Sequence, residues 1–356
     1  MKVLIVGPSP EKSKGGMATV IKEIKDDNDL NTKFDIDIFN SYIDGGKFKV
    51  AIYSVYMFIK FLIFKRQYDI YHIHVASKGS TFRKRYYVRA IKRWKKKVIL
   101  HIHGARYVEF FNSLSTRKQR QVVGTLKSSD IVIALSNDWK KIFDEMFGLN
   151  NCVAIENGIN VNSLSNAITP ACDYMKSFIM LGRLGDRKGT YDLIKAVERA
   201  KEKVPDIKCY LAGDGEIEKC RKIIIEKRLE KNIIIVGWIN YEKKISLLKK
   251  CSTVVLPSYN EGLPMAILEG MACGKAIIST KVGAIPEVVM PDNGILIPPG
   301  DINKLTEALI TCATDKKLMN VMYKSNILKV KNNFSMEIMH KKLEYYYNSL
   351  LGEDRG

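Results

Sequence analysis

Paired cysteines are missing from this chain. Its seven cysteines stand at 152, 172, 209, 220, 251, 273 and 312, odd in number, scattered, and with no C-x-x-C pair. That argues against a zinc ribbon, a dithiol redox centre and a disulfide framework, and fits small core hydrophobes in a reducing compartment. Long apolar runs are missing too. The longest, residues 50–64, is interrupted by Lys60 and is shorter than the ~18–20 residues that span a bilayer. The opening MKVLIVGPSP reads as a first β-strand and not as a signal peptide, so a cytoplasmic protein, or one on the cytoplasmic membrane face, is expected. No repeat or low-complexity segment stands out. Acidic residues are scarce in one stretch: between positions 47 and 127 there are 20 Lys and Arg but only Asp69 and Glu109, so this stretch carries +18 of the net +20. Charge so localised calls for an anionic partner at one surface.

What is present is an alternation of short apolar runs with longer helical stretches. Residues 2–7, 34–39, 69–75, 97–103 and 130–136 read as strands, rich in Val, Ile and Leu as parallel strands buried on both faces are. The Asn-, Ser- and Pro-containing stretch 157–173 interrupts the pattern, which restarts at 177–184, 207–213, 232–238, 252–258 and 276–282. The expectation is two α/β doubly wound halves facing a cleft, with a linker near 160–174. The domains are taken as 1–165, 166–333 and a final amphipathic helix over 334–356 that packs back on the first domain. The D-x-D of FDIDIF (34–39) falls inside a predicted strand and reads as structural.

Residues 259–274, YNEGLPMAILEGMACG, carry the strongest chemical signal. Gly262, Leu263 and Pro264 lead into a helix expected near Leu263, whose free N–H groups favour a diphosphate. Glu261 and Glu269 are eight residues apart, about 80° around a helix after two turns, so two carboxylates could reach different hydroxyls of one elongated ligand. GRLGDRKG (182–189) supplies Arg183 and Lys188, cations suited to a pyrophosphate. Gly15 and Gly16 precede a helix near Met17, where backbone could approach a ligand closely. His72, His74, His101 and His103 sit as two H-x-H pairs near strand ends; a metal site is conceivable, but no acidic ligand cluster accompanies them.

The E-G-L-P-x-x-x-x-E-G-M-A-C-G string resembles the retaining nucleotide-sugar glycosyltransferases that carry Glu-x7-Glu and adopt the GT-B fold, over essentially the whole chain. The resemblance implies that Glu261 holds hydroxyls of the donor sugar and Glu269 the nucleotide ribose. It implies that Arg183 and Lys188 stabilise the departing diphosphate, that the Gly15-Gly16 loop lies against it, and that His103 lies by the reacting sugar. Gly213 would pass near the nucleotide, and Trp238 and Ile239 near the base. No metal or other cofactor is implied.

The expected activity is therefore retaining transfer of a hexosyl or N-acetylhexosaminyl group from a UDP- or GDP-sugar to an acceptor hydroxyl. Arg83, Lys84, Arg85, Lys95, Lys96 and Lys97, in FRKRYYVRAIKRWKKK (82–97), suggest an anionic membrane surface. With it goes a glycan or polyprenyl-diphosphate-linked acceptor in bacterial cell-surface polysaccharide assembly. No nucleic-acid-binding motif accompanies these cations, so nucleic acid is not expected. Two rivals stand beside this reading: a GT-B-type nucleotide-sugar epimerase, and a non-catalytic membrane- or nucleic-acid-binding module.

Overall fold

A computed structural model describes residues 1–352 apart from 12, 14, 15, 44 and 171–173. The chain forms two compact units, Met1–Gly158 with Met336–Gly356, and Ile159–Ser335. In the first, β1 (Lys2–Pro8), β2 (Asp35–Tyr42), β3 (Ile70–Val75), β4 (Lys97–Ile102), β5 (Ile131–Ala134) and β6 (Cys152–Ala154) make one sheet in the order β2-β1-β3-β4-β5-β6. In the second, β7 (Ser177–Leu181), β8 (Lys208–Ala212), β9 (Ile233–Gly237), β10 (Thr253–Leu256), β11 (Ala276–Thr280) and β12 (Gly294–Ile297) follow β12-β11-β10-β7-β8-β9. All neighbours run parallel. β3 is buried along its whole length, as a strand with helices on both faces must be.

These are the two doubly wound sheets expected. Each has a switch point where the strand order reverses, β1/β3 in the first and β7/β10 in the second. Loops leaving the carboxyl ends there diverge to opposite faces and leave a crevice for a ligand. β6 and β12 had not been expected. Three and four residues long, they are too short to show a period, and Gly294 and Pro298 make the last one read as a turn.

The stretch that reads as a linker is part of the second unit from Ile159 onward. Leu164 and Ala167 are buried. The Tyr241 hydroxyl donates to Ser163 O at 2.6 Å, and Lys275 Nζ to Thr169 Oγ1 at 2.6 Å. Its apolar residues and the Ser163 and Thr169 contacts tie it to the second unit, so the division falls at 158/159 and not at 165/166. Ile159 N donates to Phe334 O at 2.8 Å, which keeps Phe334 in the same unit. The final helix, Met336–Leu351, belongs to the first unit. Its buried Tyr347 donates to or accepts from His72 Nδ1 at 2.8 Å and meets Phe34 edge-on.

Candidate active site

At the switch point of the second sheet, the loop after β7 runs Gly182-Arg183-Leu184-Gly185 into the short turn Asp186–Lys188 and the helix Thr190–Ala200. The loop after β10 runs through Ser258 and Glu261. The two are stitched together: Tyr259 N donates to Arg187 O at 2.9 Å, and Arg187 Nη1 to Asn260 O at 3.0 Å. Gly189 makes the contact possible. It has φ +70°, and a Cβ there would lie 2.0 Å from Pro257 O, a clash no side chain could relieve. The stitching sets Lys188 Nζ 2.5 Å from Glu261 Oε1, with Ser258 Oγ donating to the same oxygen at 2.7 Å and Arg187 Nη1 3.9 Å away. The Lys188 and Glu261 side chains are only 13% and 7% exposed. Burial pushes the Lys188 ammonium below the ordinary lysine range, Arg187 pushes the same way, and Glu261 opposes both.

The helix carrying Glu269 is Met265–Ala272 and starts two residues later than expected. Pro264 is extended, with φ −75° and ψ 124°, and a residue before proline avoids helical backbone. Glu261 therefore sits in a loop, and the 80° helical-wheel relation to Glu269 does not apply. Both carboxylates are nonetheless buried. Glu269 Oε1 accepts from Lys244 Nζ at 2.7 Å. Lys244 comes from the helix Tyr241–Lys249, which Asn240 caps by accepting from Lys243 N at 2.9 Å. Trp238 and Ile239 lie between β9 and that helix, Trp238 exposed and Ile239 half-buried. Arg183 is exposed at the start of the β7 loop. Gly213 follows β8, where Gly182 O occupies the space a Cβ would need. Gly262 O accepts from Ala284 N at 2.9 Å, and Leu263 and Pro264 are buried beside it.

The first unit holds the histidines. His72 and His74 on β3 and His101 on β4 are fully buried, while His103, just beyond β4, is half-buried. His72 Nε2 meets His101 Nδ1 at 3.1 Å, and His74 Nδ1 meets His103 Nε2 at 2.8 Å. Burial holds all four rings well below the ordinary imidazole value, His72 and His103 to about 3. Ligand atoms of His72, His74 and His101 lie within 4.8 Å of one another. To hold an ion, His72 would have to give up a bond to Tyr347 or His101. Asp37 of the D-x-D accepts from the Tyr68 hydroxyl at 2.6 Å within the strand. Gly16 opens the helix Gly16–Asp26, and Gly15 lies outside the described residues.

The Glycosyl transferases group 1 family matches residues 165–328, and Glycosyltransferase Family 4 matches 35–163. The two matches together cover both units, and the chain is a glycosyltransferase whose second unit is of the group 1 type. It is 28% identical over 321 residues to the uncharacterized glycosyltransferase MJ1178 of Methanocaldococcus jannaschii, with 85% of each chain covered. It is 27% identical to the Escherichia coli UDP-Gal:alpha-D-GlcNAc-diphosphoundecaprenol alpha-1,3-galactosyltransferase, covering 83% of this chain and 78% of that one. Among solved structures, HepE of Anabaena in complex with UDP superposes with a TM-score of 0.77 at 19% identity, over 98% of this chain and 100% of that one. The fold is accordingly GT-B.

Two features of this glycosyltransferase differ from the sequence expectation. The six cations assigned to one surface do not form one. Lys84 is 5% exposed and belongs to the core. Lys95, Lys96 and Lys97 lie at the amino end of β4, where Lys96 pairs with Asp69 at 3.1 Å and Lys97 with Asp130 at 4.0 Å. Arg83 lies near the other end of the helix Gly79–Arg93, and Arg85 donates to Gln121 Oε1 at 2.6 Å. Second, Lys244 and Arg187 had not been singled out. Arg187 lies inside the R-x4-K string and was in view. Lys244 is one of several lysines in YEKKISLLKK, and only the fold distinguishes it. Among the described residues no helix is long and apolar enough to cross a membrane.

Proposed function

We propose that this glycosyltransferase is a retaining enzyme that moves a sugar from a UDP- or GDP-sugar to a hydroxyl of a lipid-linked saccharide. The observation that carries the reading is two buried carboxylates each held by a partly buried lysine, Lys188–Glu261 at the switch point of the second sheet and Lys244–Glu269 between the helices that follow β9 and β10. Burying carboxylates in this way is costly unless they serve something besides packing. In this reading Lys188 and Arg183 turn to the donor diphosphate, where negative charge grows as the glycosidic bond breaks. Glu261 then accepts hydrogen bonds from the sugar, and Glu269 from the ribose. Gly213, Trp238, Ile239 and the backbone of Gly262, Leu263 and Pro264 line the nucleotide. No divalent ion is needed, because the fixed cations take its role. His103, neutral at physiological pH with one nitrogen held by His74, offers the other to a sugar hydroxyl. The acceptor oxygen attacks from the face the diphosphate leaves, and a phosphate oxygen takes its proton.

Two findings favour a lipid-linked acceptor. The E. coli relative is named for a diphosphoundecaprenol substrate. The helix Lys47–Phe64 buries Met57 and Phe61 in the core but leaves Ile52, Val55, Tyr56, Ile59, Ile63 and Phe64 exposed. An apolar helix face beside exposed Lys49, Lys60 and Arg66 has the composition of one that lies in an anionic membrane surface. The test is calorimetric titration with a panel of nucleotide sugars, followed by transfer assays with and without chelator and assignment of the product anomer. Failure to bind any nucleotide sugar, release of an epimerised nucleotide sugar without acceptor, or strict dependence on a divalent ion would each overturn the reading.

A further inference from the structure

The carboxyl ends of β1, β2 and β3, at the switch point of the first sheet, open on a cavity of about 890 Å³. Val55, Phe58 and Tyr86 form an apolar stretch of its wall; serines line much of the rest, and its charged or titrating nitrogen groups are Arg83, Lys84 and His74. That volume falls in the range of about 300–1,000 Å³ that seats one small ligand.

The polar groups are unusual in what they lack. Lys84 is 5% exposed; its Nζ donates to Val6 O at 3.3 Å and to Ser41 Oγ, and lies 5.1 Å from the centre of the Tyr87 ring. The Arg83 guanidinium lies 5.3 Å from the centre of the Tyr42 ring. Among the described residues neither cation has a carboxylate within ion-pair distance. Burial and the neighbouring Arg83 push the Lys84 amine well below the ordinary lysine range, so with only ring faces and neutral oxygens for company it carries its full charge only beside an anion. His74 adds an independent sign. The ring is fully buried, it lines the cavity, and its Nε2 has no hydrogen-bond partner among the described residues. A phosphate oxygen or hydroxyl within reach would satisfy it.

The apolar wall sets the other half of the ligand. Val55 and Tyr86, both in this wall, are also among the exposed apolar residues, so the wall continues onto the surface of the helix Lys47–Phe64. We infer that the cavity binds a single-chain amphiphile of the isoprenoid diphosphate class, with its anionic head on Lys84, Arg83 and His74 and its hydrocarbon chain leaving between Val55, Phe58 and Tyr86. The inference rests on the proposed transfer to a lipid-linked acceptor and names the groups that hold that lipid.

Farnesyl diphosphate, farnesol and inorganic pyrophosphate, titrated calorimetrically into the full chain, separate head from tail. Farnesyl diphosphate binds at least tenfold more tightly than either fragment. Lys84→Met, or Arg83→Met should the first variant fold poorly, weakens farnesyl diphosphate at least tenfold and leaves farnesol unchanged. Val55→Glu, at an exposed position, weakens farnesyl diphosphate and farnesol but not pyrophosphate. Pyrophosphate binding as tightly as farnesyl diphosphate would make this a free-phosphate site and overturn the inference, as would farnesol binding equally well. UDP-sugar titration of the same preparations keeps the two readings apart. Nucleotide sugar bound without farnesyl diphosphate sinks the inference alone. Farnesyl diphosphate bound without nucleotide sugar upholds the cavity and sinks the proposed transfer.

Discussion

Replacing Lys188 by methionine separates what the buried ion pair does for the fold from what it does for chemistry. The substitution keeps most of the side-chain volume but leaves Glu261, 7% exposed, with the Ser258 hydroxyl at 2.7 Å and Arg187 at 3.9 Å. Removing one partner of a buried pair costs about 3–5 kcal/mol. Arg187 is 45% exposed and has room to swing toward the orphaned carboxylate, so the low end, about 3 kcal/mol, is expected. At roughly 2–4 °C per kcal/mol for a unit of about 180 residues, the second unit should melt ~6–12 °C lower. Adding Glu261→Gln removes the stranded charge and should restore all but about 1 kcal/mol. Turnover should behave differently: it falls by about two orders of magnitude or more in the single variant, as when leaving-group stabilisation is lost, and the double variant does not recover it. Calorimetric melting and steady-state transfer on the four members of the cycle give both numbers, and the coupling energy isolates the pair. If Lys188→Met melts with the wild type, the pair is not a buried two-body unit. If it keeps turnover within tenfold, the diphosphate role falls.

Glu269→Gln and Lys244→Met should weaken nucleotide binding by about 1.5–3 kcal/mol, the worth of a hydrogen bond to a charged group, while turnover at saturating donor is largely kept; unchanged nucleotide affinity by calorimetry would remove Glu269 from the donor site. The first unit should lose stability in mild acid. The folded values of His72, His74 and His101 lie below the unfolded value, so the unfolded chain takes up protons that the folded one excludes. Their contribution is intact above about pH 6.5 and falls by about 1.4 kcal/mol per ring per pH unit below it; equal melting temperatures for this unit at pH 7.5 and 5.5 would refute the burial argument. Ile59→Glu with Ile63→Glu should weaken binding to anionic vesicles by about 2–3 kcal/mol, from the loss of two partly inserted side chains. Changing Lys95, Lys96 and Lys97 to Gln should do less, because Lys96 and Lys97 are already paired with Asp69 and Asp130; co-sedimentation with the opposite ranking would move the membrane face to the amino end of β4.

The sheets, and the segment that carries Glu261 and Glu269, stand out in the sequence for two separate reasons. Strands buried on both faces are rich in Val, Ile and Leu, and the EGLP segment combines glycine, proline and glutamate in an order unlike that of an amphipathic helix. What stayed hidden depends on distant pairing. Nothing local separates Lys244 from Lys243, and only the docking of the helix Tyr241–Lys249 brings it to Glu269. The expected linker was hidden the same way. Polar residues read as solvent-facing unless their partners are known, and the partners of Ser163 and Thr169 are Tyr241, Lys249 and Lys275, 78–106 positions away.

Lys84 differs, because the sequence does carry a signal for its burial. On the helix Gly79–Arg93 the buried residues include Thr81, Lys84, Val88 and Ile91, spaced three, four and three apart, the period of a core-facing stripe. Lys84 occupies a core position in that stripe, and the cations crowding the same helix disguised it as one more surface charge. A lysine at a core position conflicts with every local rule of patterning, and such conflicts concentrate where a sequence serves a ligand. The helix Lys47–Phe64 shows the converse conflict. It is apolar nearly all round, as a fully buried helix would be, yet one face lies open. The two violations border the same cavity, one supplying a buried amine with no carboxylate beside it and the other an uncovered apolar wall. A ligand with an anionic head and a hydrocarbon tail resolves both at once, whereas free phosphate leaves the wall unexplained and a bare hydrocarbon leaves Lys84 unexplained.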